Sequence, residues 1–151
     1  MPNVVDVAFG WYHEAYVDQQ GQLHVCAKAK LSSIEVEGVR DGDRADLHKV
    51  DNLPQGTKVK QASFTQNRLF VLSESGEVFL YKVVEHFPKR EDVELFGQRA
   101  GGQIRGELMV NDAPVKIKDL GKIKQIACGL DHVLFLNDKG ELLAMGDDTF
   151  G

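Results

Sequence analysis

Cysteine is scarce in this chain. Cys26 and Cys128 are the only two in 151 residues, and no C-x-x-C pair exists. That pattern supports neither a disulfide framework nor a thiolate zinc site, so the reading is two buried, reduced thiols. No apolar run approaches the ~20 residues that a membrane helix needs. The start, MPNVVDVAFG, lacks the basic region and long apolar stretch of a secretory signal. No membrane insertion is expected, and the chain reads as intracellular, with cytoplasm, nucleus and organelles all open. An excess of positive charge is missing too: 18 Lys and Arg stand against 23 Asp and Glu, a net charge of −5. Broad phosphate-backbone binding needs a basic face, so nucleic acid is not an expected partner.

Catalytic sets are also missing. Ser32, Ser33, Ser63, Ser73 and Ser75 have no glycine elbow around them. Asp41-Gly42-Asp43-Arg44-Ala45-Asp46 opens like a calcium loop. It then puts Ala45 where an acid or amide belongs and Asp46 where glycine belongs, and it lacks the closing glutamate. The glycine-rich stretch from Gly97 to Gly106 lacks the Gly-Lys-Ser/Thr ending of a phosphate loop and reads as a hairpin tip. Lys89-Arg90-Glu91-Asp92 reads as a solvated charge run. The expectation is a protein that is not an enzyme and needs no cofactor and no metal.

What is present is repetition. Around Gly21 the chain reads VVDVAFGWYHEAYVDQQGQLHV; around Gly76, VKQASFTQNRLFVLSESGEVFL; around Gly140, IKQIACGLDHVLFLNDKGELLA. The three glycines are 55 and 64 residues apart. Repeats of this length built from strand-like pieces mean a propeller or a solenoid. In each copy a short apolar run leads to a second one (Ala15-Tyr16-Val17, Phe70-Val71-Leu72, Leu134-Phe135-Leu136). A polar turn and a third run follow. Asp18, Ser73 or Asn137 opens the turn, where a short side-chain oxygen can accept from the backbone just ahead. Gly21, Gly76 or Gly140 closes it at positive φ. Runs of five to seven residues punctuated by glycine are too short for helices. A fourth strand is expected between copies, at Val50 and Leu53 and again at Ile117 and Leu120, with Pro54 and Gly121 at the corners. The fold class is therefore all-β, a run of consecutive four-stranded antiparallel blades in an incomplete, open β-propeller. The repeats are residues 3–58, 59–122 and 123–151, with inserted loops at 28–57 and 82–121.

The third copy carries Ala127, Gly129, His132 and Gly140, then a glycine-rich tail at Met145-Gly146-Asp147-Asp148-Thr149-Phe150-Gly151. This resembles the regulator-of-chromosome-condensation repeat. The first copy matches through Ala8, Gly10, His13 and Gly21. The second keeps the apolar frame and Gly76 but has Thr65 and Arg68 at the glycine and histidine places. The resemblance implies a seven-bladed propeller, of which this chain holds fewer than three blades. It also implies protein partners, a small Ran-like GTPase among them.

Function is then expected in protein–protein binding, as a scaffold or assembly subunit. The partner would be another protein or the remaining blades of the propeller. Guanine-nucleotide exchange on a Ran-like GTPase is the alternative. Candidate contact residues are Trp11 and Tyr12 beside the first strand, Arg99 and Arg105 around the glycine-rich tip, and Asp131 and His132 in the third copy. Asp131 faces a departure within the chain, because the other copies carry Tyr12 and Asn67 at its place. His13 and His132 read as blade-tying histidines. Val93–Phe96 and Glu107–Val110 are expected to pair as a hairpin projecting from one face of the disc.

Overall fold

The computed structural model describes residues 3–27, 48–86, 105–110 and 112–146. Within them the chain lays down one sheet per repeat. The first holds β1 (Val4–Phe9), β2 (His13–Asp18), β3 (Leu23–Ala27) and β4 (His48–Lys49), antiparallel in that order. The second holds β5 (Val59–Phe64), β6 (Arg68–Ser73) and β7 (Val78–His86). β8 (Arg105–Leu108) and β9 (Val115–Lys116) share the same edge of β7. The third holds β10 (Ile123–Cys128), β11 (His132–Asn137) and β12 (Leu142–Gly146). The architecture is the expected one: all-β, antiparallel, radially repeated and open.

The fourth strand begins earlier than expected. β4 and β9 end just before Val50 and Ile117, whose amides donate to Leu23 O and Val78 O at 2.8 and 2.9 Å. Leu53 and Leu120 lie beyond the ladder and pack half-buried against the two cores. Glu107 and Leu108 do not stand opposite Val93–Phe96 in the described ladder. Their partners are Val84 and Val83 of β7, so the projection is built by extending the third strand of the blade. Val93–Phe96 lies outside the described residues.

Burial patterns show why the sheets stack. The middle blade is covered on both faces, and its central strand reads as one continuous apolar run, Leu69-Phe70-Val71-Leu72, all buried. The outer blades are covered on one face each, so their central strands alternate. His13, Ala15 and Val17 are buried in β2, whereas Val133, Phe135 and Asn137 are buried in β11. The phase is opposite because the two strands look inward from opposite sides. One core joins Val17, Leu23 and Val25 to Val59, Ala62, Leu69 and Val71. The other joins Phe70, Leu72 and Val78 to Ile123, Ile126, Val133 and Phe135. Phe70 and Phe135 meet edge to face, centroids 6.1 Å apart and planes at 70°. Burying one such ring stabilises the stack by about 1.5–3 kcal/mol.

The turns follow the expected logic. Gly21, Gly76 and Gly140 have φ of 78°, 88° and 82°. Asp18 Oδ1 accepts from the amides of Gln20 and Gln22, Asn137 Oδ1 from those of Lys139 and Glu141, and Ser73 Oγ from that of Glu77. Burial pushes the Asp18 carboxyl upward, but hydrogen bonds from His24 and the two amides outweigh it and hold the group below its ordinary value.

Candidate partner-binding rim

A rim can present a partner with fixed side chains only if the blades beneath it do not slide. Each blade is clasped to the next by a polar residue at the third place of its first strand. The Ala62 amide donates to Asp6 Oδ2 at 2.9 Å. One blade on, the Ile126 amide donates to Gln61 Oε1 at 3.0 Å, while Gln61 Nε2 donates to Ile126 O at 2.6 Å. The turn glycines add a second tie. Val59 N donates to Gly21 O and Ile123 N to Gly76 O, at 2.9 and 3.0 Å. A Cβ on Gly21 or Gly76 would press on the backbone of the next blade, which is a second reason for glycine there. The sequence reading missed Asp6, Gln61 and Gln125. A visible signal was the recurrence of Asp or Gln at one place in VVD, VKQ and IKQ.

One end of the stack is formed by the tight links between first and second strands, residues 10–12, 65–67 and 129–131. Gly10 N, Thr65 N and Gly129 N donate to the carbonyls of His13, Arg68 and His132 at 2.8, 2.9 and 2.8 Å. Thr65 therefore makes the same link as the two glycines. The Gln66 amide donates to Leu130 O at 2.8 Å, coupling neighbouring links. The extended part of β7 and its partner β8 project from this same end. Their base is fixed on several sides. Val83 N donates to Asn67 O at 2.8 Å and Met109 N to Lys82 O at 2.9 Å. The Leu108 amide donates to His13 Nε2 at 3.3 Å. Burial lowers the His13 pKa, which favours the neutral ring with an acceptor nitrogen. Asn52 Nδ2 donates to Val110 O and Asp112 O at 2.7 and 2.8 Å, and Tyr81 OH donates to Asn52 Oδ1 at 2.7 Å. Burial first, then the Asp51 carboxylate, raise the Tyr81 hydroxyl's pKa and keep it a donor.

The structure places Trp11, Tyr12, Asp131 and His132 on this rim, with Arg105 opening β8 opposite His86 on the projection. Arg99 lies outside the described residues. The aromatic pair divides its labour. Trp11 is 59% exposed, while Tyr12 is half-buried against the first core. Asp131 and His132 are exposed. Leu130, which the sequence reading did not select, is exposed at the same repeat place as Trp11. Both cysteines are free and half-buried. Burial raises each thiol's pKa, aided at Cys26 by Glu14 and opposed at Cys128 by a hydrogen bond with Ser63, so neither is an activated thiolate. Among the described residues no cluster of His, Cys, Asp and Glu is arranged to hold a metal ion, and no helix is long and apolar enough to cross a membrane.

Known proteins share this plan. Residues 123–151 match the model of the regulator of chromosome condensation (RCC1) repeat. Over 135 residues the chain is 27% identical to the guanine nucleotide exchange factor SRM1 of Saccharomyces cerevisiae, an alignment covering 80% of this chain and 26% of that protein. Three solved structures resemble it in fold. Human WBSCR16 gives a TM-score of 0.60 at 19% identity, covering 96% of this chain and 33% of its own. Yeast RCC1 (Prp20) bound to Kap60 gives 0.61 at 21%, covering 97% and 32%. Prp20p of Saccharomyces cerevisiae, in a study of its binding to Gsp1p and histones, gives 0.61 at 22%, covering 97% and 33%. The chain thus spans about a quarter of its curated relative and about a third of these structures. With its three in-register copies and clasped sheets, the chain has the fold of these propellers, an open all-β array of antiparallel blades, and its third copy is similar to the regulator of chromosome condensation (RCC1) repeat.

Proposed function

We propose that this chain is a protein–protein interaction scaffold that meets its partner through the rim described above. One observation carries this reading: an exposed tryptophan and a hairpin projection anchored at its base occupy the same end of a stack whose blades are clasped by side-chain hydrogen bonds. Aromatic and arginine side chains on a rigid frame are what contact hot spots are made of. In this reading Trp11, Asp131 and His132 touch the partner, Tyr12 seats the link that carries Trp11, and Arg99 and Arg105 are further contact residues. Binding requires no reacting group.

A second reading is guanine-nucleotide exchange on a small Ran-like GTPase, favoured by the 27% identity to SRM1. Exchange makes and breaks no covalent bond. The factor binds the nucleotide-free GTPase more tightly than the loaded one, and by linkage it weakens nucleotide affinity by the same factor. Binding titrations of this chain with Gsp1p, Kap60 and histones, run beside release of a fluorescent guanine nucleotide from Gsp1p, separate the two. Binding that weakens about 10-fold or more in Trp11→Ala or Asp131→Lys, with unchanged release, supports the scaffold. Accelerated release supports exchange. Binding indifferent to both substitutions and to deletion of residues 97–106 removes the rim from the contact.

A further inference from the structure

We infer that His13 is a proton-operated latch for the projection. As a neutral ring it holds the Leu108 amide, and on taking up a proton it lets that amide go, loosening the base of β8 from the first blade. The consequence for a partner rests on the rim reading above; the latch itself does not. The direction of one amide carries the argument. β8 pairs with β7 in the register Val83–Leu108 and Val84–Glu107. Val83 N–H is spent on Asn67 O, and Met109 N–H reaches back to Lys82 O. Leu108 N–H leaves the ladder instead and donates to His13 Nε2 at 3.3 Å, across 95 residues of chain. Leu108 is 8% exposed and His13 7%. A backbone donor buried to that extent needs an acceptor, and the ring nitrogen supplies it.

Only a neutral imidazole has a lone pair to offer; the imidazolium carries N–H on both nitrogens. Protonation therefore sets Nε2–H against Leu108 N–H, two donors facing each other in a buried site, and parting them is the relief. The charged groups on the surrounding elements do not offset the new charge. Asp6 is held by the Ala62 amide, His24 by Asp18, and Lys60 by Lys124 O. Glu14 stands beside Cys26, while Arg105 and Glu107 belong to β8 itself. Burial is what lowers the His13 pKa from its ordinary 6.5. Below that value each pH unit weakens the latched state against the released one by up to about 10-fold, until the latched ring titrates in turn. The other repeats lack the device: Arg68 at this place has no acceptor, and His132 is exposed. A partner that uses the projection then loses it in acid, and by linkage its binding drives the proton off His13.

Amide exchange of the chain alone, read by NMR as protection factors at about pH 7.5 and about pH 5.5, tests the latch. Leu108 is expected to lose protection about 10-fold on acidification, while Val71, buried in the middle blade, keeps its own. His13→Gln places an acceptor oxygen there on a group that does not titrate, so Leu108 should stay protected at both pH values. His13→Ala has no acceptor, and Leu108 should exchange fast at both. Should His13→Ala unfold, imidazole nitrogen spectra of the unmodified chain replace it; they should show the proton on Nδ1 at neutral pH. Leu108 protection that ignores pH overturns the latch. So does protection that falls equally in His13→Gln, and so does a neutral ring protonated on Nε2. Titrations with Gsp1p, Kap60 and histones at the same two pH values test the consequence. Affinity should fall by a larger factor for the unmodified chain than for His13→Gln, and equal factors overturn the link to the partner. If none of the three binds at either pH, the rim reading loses those partners, and amide exchange still decides the latch.

Discussion

Replacing Gln61 by alanine removes the clasp between the second and third blades and nothing else of substance. Ile126 is 1% exposed, and its N–H and C=O both face the Gln61 amide, at 3.0 and 2.6 Å. An unpaired buried backbone group costs about 1–3 kcal/mol. Gln61 is half-buried, so water reaches part of the gap and the low end applies to each group. The expected cost is about 2 kcal/mol, a fall in Tm of about 4–8 °C for a chain of this length. Urea and thermal unfolding at dilute concentration measure it. Gln125→Ala is the internal control, since the same residue type at the same repeat place is exposed and should change stability by less than about 0.5 kcal/mol. Gln61→Glu keeps the acceptor for Ile126 N–H but sets a carboxylate against Ile126 C=O. Protonation restores a donor there, so relative to the unmodified chain this variant should regain stability as pH falls. A cost for Gln61→Ala below about 0.5 kcal/mol, or equal to that of Gln125→Ala, would show that the blades hold together without the clasp.

Other expectations follow from the same geometry. Burial holds the His13 imidazole below its ordinary pKa of 6.5, so the native state takes up its proton later than the unfolded chain. His13's contribution should be complete above about pH 6.5 and lost as pH falls toward its own lower value, with Leu108 amide exchange quickening in that window; His13→Ala should flatten the response, and an unchanged Leu108 profile would refute the contact. Gly76→Ala and Gly140→Ala both force a side chain into positive φ, at about 1 kcal/mol. Gly76→Ala also drives a Cβ toward the Lys122 and Ile123 backbone, so denaturation should place it at least about 1 kcal/mol below Gly140→Ala. Phe70→Ala should cost about 3–5 kcal/mol, and a double-mutant cycle with Phe135→Ala should show coupling between the two rings.

The sequence by itself determined the repeat, the strand character of each piece and the chemistry of each turn, because these depend on residues within four or five positions of one another. Asp18, Ser73 and Asn137 meet amides two to four residues ahead, and glycine supplies the positive φ whatever lies nearby. The order of burial was not legible: the apolar run Val133-Leu134-Phe135-Leu136 is as continuous as Leu69-Phe70-Val71-Leu72, yet only the second is buried throughout. Only the tertiary structure decided which polar side chains do work across distance. His13 meets Leu108 from 95 residues away, and Gln61 meets Ile126 from 65. A strand edge accepts any strand that reaches it, so the pairing of β8 with the extension of β7 came from where the chain returned and not from its composition. Trp11 and Tyr12 are neighbours in sequence with opposite fates, because burial is set by the adjacent blade, and its position is a property of the stack.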